Sequence, residues 1–140
     1  MKAFYLAILT AFIWGMVPIL EKVGLSGVSP QAGMVFRCLG VMIGASLLVA
    51  INPGIIREAS SVGIKGVYLF LIAGFLANFV GQLLFYNALK AGEASKVTPI
   101  AGSFPLVTFC LGVLVFGETV TIHKIGGIML ILSGLFLLKG

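Results

Sequence analysis

Residues 3–20 read AFYLAILTAFIWGMVPIL, an apolar stretch bounded by Lys2 and by the Glu21–Lys22 pair. A helix of about 18 residues rises about 27 Å, which is close to the hydrocarbon thickness of a bilayer. A secretory signal peptide would look similar. Four further apolar stretches follow, however, and no clear small-residue cleavage site precedes a soluble domain. The stretch therefore predicts a retained transmembrane helix.

Four more stretches share the length and apolar character of the first. They cover about residues 31–51, 66–89, 95–117 and 121–138. The composition agrees with a membrane protein, because 60% of the residues are hydrophobic and 9% are charged, whereas soluble domains carry about 25% charged residues. The prediction is an all-α, multi-pass integral membrane protein with five transmembrane helices in a single domain, residues 1–140.

Eight of the nine Lys and Arg residues divide evenly between the two sides of the membrane, and the ninth, Arg37, lies within a helix near side B. If the N-terminus lies on side A, side A holds Lys2, Arg57, Lys65 and Lys124, and side B holds Lys22, Lys90, Lys96 and Lys139. Orientation follows the excess of Lys and Arg in short loops, so this balance predicts a dual topology, in which copies insert both ways. The alternative is a single orientation with a cytoplasmic N-terminus. The net charge of +5 includes no basic run, so nucleic-acid binding is not expected.

Polar residues within the third span are candidates for a substrate pathway, because each carries a desolvation cost that packing alone does not require. Asn78, Gln82 and Tyr86 are spaced one helical turn apart and share a face. Two interpretations stay open. The stripe either hydrogen-bonds to neighbouring helices or forms a wall that faces a substrate.

The fourth span adds hydroxyl groups and interrupted backbone bonds. Thr98, Pro99 and Ser103 lie along it, and Pro105 follows. Such groups are tolerated at membrane depth mainly against protein or a water-filled cavity. Each proline also removes a backbone donor, which predicts a kink at Pro99 or at Pro105.

Two charged residues near side B need an explanation. Arg37 lies about 10 Å into the second helix at the standard rise per residue. Glu21 ends the preceding helix on the same side, which predicts a Glu21–Arg37 ion pair; snorkelling of Arg37 to lipid phosphates and contact with an anionic substrate group are the alternatives. Trp14 and Pro18 continue the Glu21 face, and Trp14 is interpreted either as a pathway residue or as a core residue.

The sequence contains no pattern typical of an enzyme. It shows no nucleophile beside a base, no metal-ligand spacing, no phosphate-binding loop and no pair of buried carboxylates. We therefore expect no catalytic residues, no bound metal and no cofactor.

A series of short motifs runs along the whole chain. The motifs are AFIWG at 11–15, FR at 36–37, FYNALK at 85–90, ASKVTP at 94–99, FPL at 104–106, FGETVT at 116–121 and GG at 126–127. In order and spacing the series resembles the EamA-type family of the drug/metabolite transporter superfamily. Each motif alone is weakly specific, but the series as a whole is specific.

The resemblance implies an alternating-access transporter of small organic metabolites in the prokaryotic inner (plasma) membrane. Members of that family commonly carry two five-helix units in inverted orientation, whereas this chain carries one. The resemblance therefore implies one half of an inverted-repeat transporter, with a second copy or a homologous half as its partner. We expect a homodimer, antiparallel if the topology is dual. A nearly uncharged pathway favours neutral or zwitterionic, amino-acid-like substrates.

The family's pathway is built largely from the first, third and fourth helices of each unit. On that basis the pathway candidates are Trp14, Asn78, Gln82, Tyr86, Pro99 and Ser103, beside Pro18 and Thr98, while Glu118 resembles a structural helix-end residue. The coupling ion stays open, because Glu21 and Glu118 lie near helix ends. Two other functions remain as alternatives: a small multidrug-type exporter, which lacks support because the first helix has no deep acid, and a non-transporting membrane partner subunit.

Overall fold

The computed structural model describes residues 2–138, with side chains from Phe4 onward, and this part of the chain is helical without any strand. The helices are α1 Lys2–Gly24, α2 Pro30–Ile51, α3 Gly54–Ser60, α4 Ile64–Phe75, a π-helical segment Leu76–Gly81, α5 Gln82–Ala91, α6 Ala94–Ala101, α7 Pro105–Phe116 and α8 Ile122–Leu138. The all-α prediction is confirmed. Lys139, counted above on side B, lies outside the described residues.

Four helical stretches in this part of the chain are long and apolar enough to cross a membrane. They are Phe4–Gly24, Pro30–Ile51, Ile64–Ala91 and Ala94–Phe116, which correspond to the first four predicted spans. Helix α8 is apolar but has 17 residues, so it rises about 25 Å and falls at the short end of the range for spanning helices. The multi-pass membrane class is confirmed, and the fifth span stays a prediction.

The third span runs without a break from Ile64 to Ala91, and residues Leu76–Gly81 within it form a π-helical segment. A Cβ at Gly81 would lie 3.2 Å from the Leu76 carbonyl oxygen, so a residue without a side chain fits this turn. A π turn holds one residue more than an α turn. It therefore changes the direction in which Gln82 and Tyr86 face relative to α4.

The fourth span is broken rather than smoothly kinked. Helix α6 continues through Pro99, and the break falls at residues 102–104, directly before Pro105 at the start of α7. Pro105 has no N–H to donate, and the Ser103 hydroxyl donates to the Ile100 carbonyl at 2.7 Å. Of the two prolines that predicted a kink, Pro105 marks the interruption.

The chain divides into two compact units, residues 1–91 and 92–140. In the first unit, α1 and α2 each pack against α5. In the second, α6 packs against α8. Each unit is described separately below.

The first unit has its buried core at one end, where α1 finishes, α2 begins and α5 finishes. We call this the packed end and define it by four buried side chains, Leu25, Met34, Tyr86 and Leu89. A Cβ at Gly33 would lie 3.0 Å from Leu25 Cδ2 and 3.3 Å from Tyr86 Cε2. The close approach of α2 to these side chains therefore depends on a glycine at residue 33.

Side chains also secure the backbone at the packed end. The Ser29 hydroxyl accepts a bond from the Ala32 N–H at 3.2 Å and caps α2, a role for which serine is well suited. Lys22 Nζ donates to the Leu89 carbonyl, and Lys90 Nζ donates to the Val28 carbonyl at 2.8 Å. Lysines near the helix C-termini thus satisfy backbone acceptors in other segments, which ties α1, α5 and the α1–α2 loop together.

Candidate functional site

Three polar side chains of α1 and α5 meet beside the packed end. Gln82 Nε2 donates to Glu21 Oε1 at 3.0 Å, and the Tyr86 hydroxyl donates to the same oxygen at 3.0 Å. These bonds join residues 61 and 65 positions apart in the chain. We call Glu21, Gln82 and Tyr86 the polar node. Tyr86 is 4% exposed, and the other two are half-buried.

Local structure positions each member of the node. Pro18 is buried one turn before Glu21 in α1, and its ring lacks the N–H that would bond to the Trp14 carbonyl. Gln82 is the first residue of α5, directly after the π-helical segment, and Tyr86 follows one turn later. The shared face predicted for Gln82 and Tyr86 is therefore the face that meets Glu21.

The structure gives Glu21 different contacts from those expected for it. Among the described residues, Lys124 and Glu118 form an ion pair closer than 4.0 Å. Arg37 and Glu21, which were expected to pair, do not approach each other that closely. Arg37 is half-buried in α2, and its charge acts on the Glu21 carboxylate from longer range. The direct hydrogen bonds come instead from two neutral donors on α5.

The remaining candidates of the first unit lie outside the node. Trp14 is 62% exposed in α1, so it is not a core residue of this unit. Asn78 is exposed within the π-helical segment. Segments of this kind occur frequently at functional sites. Of the predicted stripe, the structure thus brings Gln82 and Tyr86 to Glu21 and leaves Asn78 open to the surroundings.

The candidates of the second unit lie in α6 and the turn that follows it. Thr98 Oγ1 is buried and, among the described side chains, has no hydrogen-bond partner. An unpaired buried hydroxyl is costly. Pro99 is exposed, and Ser103 bonds locally to the Ile100 carbonyl. Thr98 is therefore the one of these three whose polar group lacks a partner in the described part of the protein.

Glu118 lies at the end of α7. Lys124 Nζ is 3.2 Å from Glu118 Oε2 and also donates to the Thr119 carbonyl at 3.0 Å. Gly117 ends the helix in the left-handed region with φ 64°, where glycine is favoured. A Cβ at Gly112 would lie 3.3 Å from the Glu118 carboxyl group. All of these contacts lie at the C-terminal end of α7, as expected for a helix-end residue.

The described residues contain no group of three or more His, Cys, Asp or Glu side chains that could hold a metal ion. Among the described residues, the node is the place inside the spans where side chains of two helices meet through polar groups. It offers a carboxylate, an amide and a phenol hydroxyl. Such an arrangement can bind a polar solute or a proton.

Membrane-length apolar helices with polar groups inside them define the class of this molecule as an integral membrane protein. The chain belongs to the EamA-like transporter family, whose family model matches residues 1–139. The resemblance noted in the sequence is thereby confirmed, and the protein is a membrane transporter by family.

Relatives of this chain occur at two lengths. An uncharacterized protein of Methanocaldococcus jannaschii is 27% identical over 137 residues, 98% of this chain and 96% of the relative. An uncharacterized transporter from the cobO 3′ region of Sinorhizobium sp. is 26% identical over 132 residues, 94% of this chain and 92% of the relative. An uncharacterized transporter of Clostridium kluyveri is 22% identical over 129 residues, 91% of this chain but 40% of the relative. No solved structure matches the chain.

Proposed function

We propose that this chain is one half of an alternating-access transporter for small organic metabolites, and that two copies form the working unit. The observation that carries the proposal is the polar node, a carboxylate within a spanning helix that is bonded to polar side chains of a second span. Ionisable groups inside membrane spans are expensive, and they commonly mark solute or ion pathways.

The lengths of the relatives support a two-copy assembly. Two relatives are covered almost completely by this chain, while 60% of the Clostridium transporter remains outside the matched part, because the match covers 40% of it. Transporters of this architecture bind substrate between two repeats. In our proposal a second copy of this chain supplies the second repeat, which the longer relative carries in the same chain.

The arrangement of the two copies follows from span number and charge. We propose α8 as a fifth span, which places the two ends of the chain on opposite sides of the membrane. Its residues Gly126, Gly127 and Gly134 would meet no atom within 4 Å if a Cβ were added, so this surface is open to another helix. With four basic residues on each side, opposite insertion of the two copies gives an antiparallel homodimer.

The substrate class follows from the charges near the node. Glu21 and Arg37 contribute one negative and one positive charge, which suits neutral or zwitterionic, amino-acid-like metabolites. The matched relatives come from prokaryotes, which supports the prokaryotic plasma membrane as the location.

Flux into liposomes tests the proposal. Purified protein is reconstituted, and uptake of radiolabelled neutral, zwitterionic and cationic solutes is measured for wild type, Gln82→Ala and Asn78→Ala. Asn87→Ala is the matched control, because Asn87 lies in α5, is exposed and bonds only to the nearby Leu83 carbonyl at 2.7 Å among the described contacts. We expect uptake to fall by about tenfold in the first two variants and to be unchanged in the control.

Either of two outcomes would contradict the proposal and favour another function. If folded protein moves none of the solutes, the chain is better explained as a non-transporting partner subunit. If it moves lipophilic cations and no zwitterion, a multidrug-type exporter is the better explanation.

Cross-linking tests the antiparallel arrangement. In a background with Cys38→Ser and Cys110→Ser, Ile122→Cys and Leu137→Cys are placed on differently tagged copies at opposite ends of α8. An antiparallel pair that meets along α8 joins the two tags, whereas a parallel pair joins like with like. Reporter fusions at the C-terminus provide a second readout, and a single orientation in all copies would exclude the antiparallel homodimer.

A further inference from the structure

Arg37 is a charged residue within a span that has no direct partner in the described part of the chain. It is half-buried in α2, about 10 Å from the start of that helix at the standard rise. Its guanidinium makes no hydrogen bond and no ion pair within 4.0 Å to a described residue. A guanidinium keeps its charge and five N–H donors in a protein. Such a group inside a span is costly unless it is paired.

Helix geometry directs Arg37 toward the polar node. Gly33 and Met34 lie four and three residues before it, so they share its face of α2. Met34 is buried, and a Cβ at Gly33 would lie 3.3 Å from Tyr86 Cε2, so this is the face that packs against α5. The charge of Arg37 also acts on both Glu21 and Tyr86. Arg37 therefore lies one turn deeper in the span than the packed end, on the side that faces the node.

The node itself has an acceptor that its own side chains do not use. Both hydrogen bonds to Glu21 end on Oε1, and Oε2 accepts none from the described residues. The N–H groups of Arg37 and this oxygen come from different helices and are more than 4.0 Å apart. A small solute with an acceptor at one end and a donor at the other matches this pair of groups.

We propose that Arg37 binds the carboxylate of a zwitterionic, amino-acid-like solute between α2 and the polar node. The planar guanidinium forms two parallel hydrogen bonds with a carboxylate, and the solute carboxylate compensates the charge of Arg37 within the span. Glu21 Oε2 is the acceptor for an N–H group of the solute. This site rests on the proposed function, and it identifies the carboxylate as the group by which the transporter selects its solute.

A lipid phosphate is the other oxyanion that Arg37 can meet. Helix side chains tilt toward the helix N-terminus, and arginine extends along that direction to reach headgroups. On the Arg37 face of α2, however, that route passes Gly33 and Met34, where side chains of the packed end cover the helix. The position therefore favours a solute that enters between the helices, and the experiment below separates the two oxyanions.

Chemical modification of arginine tests binding without any flux. The full chain in maltoside micelles is treated with phenylglyoxal, and mass spectrometry reads the extent of modification of Arg37. The chain's other arginine, Arg57, is exposed in α3 and serves as the internal control. The probes are alanine, leucine and phenylalanine, each beside its amide, which lacks the carboxylate. We expect at least one acid to slow modification of Arg37 about tenfold at ten times its dissociation constant, while its amide and Arg57 show no effect.

Repeating the reaction in phosphatidylcholine liposomes distinguishes the lipid from the solute. Protection of Arg37 by an acid in micelles and in liposomes supports the proposal. Protection that phosphatidylcholine alone provides, and that no acid provides in micelles, assigns Arg37 to a lipid phosphate and overturns the proposal.

Uptake into liposomes tests selectivity with two variants and a matched control. In Arg37→Gln we expect the apparent affinity for the protecting acid to fall about 10- to 100-fold and discrimination between that acid and its amide to disappear. Arg37→Lys keeps the charge and loses the planar fork, so its affinity should be intermediate. Arg57→Gln should match the wild type. Arg37→Gln should also melt close to the wild type, and Arg37→Lys serves if the glutamine variant does not fold.

The inference and the proposed function can fail separately. Uptake of solutes by the wild type that Arg37→Gln and Arg37→Lys leave unchanged, with the same preference for acid over amide, would remove the carboxylate site and leave the transporter standing. Failure of all three acids to protect Arg37 would also remove the site. Protection of Arg37 by an acid without uptake of any solute would retain the site and remove the transport function.

Discussion

Two glutamates of this chain lie at helix ends and have opposite surroundings. Glu21 is half-buried, and its partners Gln82 and Tyr86 are 61 and 65 positions away in the chain. Glu118 has 53% of its side chain exposed, and its partner Lys124 is six positions away. The first contact joins separate helices, whereas the second closes a single turn between α7 and α8.

The difference shows which carboxylate depends on the tertiary fold. The Glu118–Lys124 pair can form wherever that turn forms, and exposed ion pairs contribute about 0–1 kcal/mol. The Glu21 contacts require α5 to be rotated correctly and α2 to pack closely. Changes far from Glu21 should therefore disturb its contacts, and three predictions follow from this difference, in decreasing order of expected effect.

Deletion of Leu84 should have the largest effect. It removes one residue from the regular helix α5 between Gln82 and Tyr86, which turns Tyr86 and Leu89 by about 100° relative to Gln82. The Tyr86 hydroxyl then leaves Glu21, and Leu89 leaves the packed end. We expect a loss of about 3 kcal/mol or more in the free energy of unfolding, read as a large drop in the thermal midpoint in detergent.

Leu84→Ala is the control for this deletion, because it keeps the chain length and changes an exposed side chain. It should melt close to the wild type. A deletion variant with wild-type stability would mean that the register of α5 does not place Tyr86 and Leu89 at the packed end.

The π-helical segment also shows where prediction from sequence ends. The spacing of Gln82 and Tyr86 predicts a shared polar face, and the structure has it. A π turn has no comparable sequence pattern, since it arises from a shift in backbone hydrogen bonds. The local sequence feature that accompanies it here is Gly81. The direction of the polar face relative to α4 was therefore not predictable.

The partner of Glu21 was missed for a related reason. Opposite charges near the same side of the membrane favour Arg37 as its partner, and nothing in the spacing reveals which helix α1 faces. The signal available was that Glu21 continues the Pro18 face of α1, while Gln82 and Tyr86 share a face in another span. The existence and approximate ends of the long apolar helices were predictable, because apolar length determines them.

Substitution of Gly33 should have an intermediate effect. A Cβ there would lie 3.0 Å from Leu25 Cδ2 and 3.3 Å from Tyr86 Cε2, so Gly33→Val overpacks the packed end. Overpacking costs about 1–3 kcal/mol. We expect a lower thermal midpoint together with weaker protection of the α5 amides in hydrogen exchange.

Gly40→Val is the matched control, because Gly40 lies in the same helix and a Cβ there would meet no atom within 4 Å. The neighbouring Gly44, one turn later, is equally open in the single chain. Gly40→Val should therefore leave the unfolding of the chain unchanged. If both valine variants lose the same stability, the close approach at Gly33 does not determine the geometry of the packed end.

The smallest effect should come from Glu118→Gln. The Lys124–Glu118 pair is 3.2 Å apart, with 40% and 53% of the two side chains exposed, so we expect a loss of about 0–1 kcal/mol that shrinks further at high salt. Glu21→Ala leaves the Tyr86 hydroxyl and the Gln82 amide without their shared acceptor and should cost more, about 1–3 kcal/mol. Thermal midpoints of both variants at low and high salt measure the contrast. A salt-dependent loss at Glu118 as large as that at Glu21 would show that the local pair, and not the contact between distant helices, stabilises the fold.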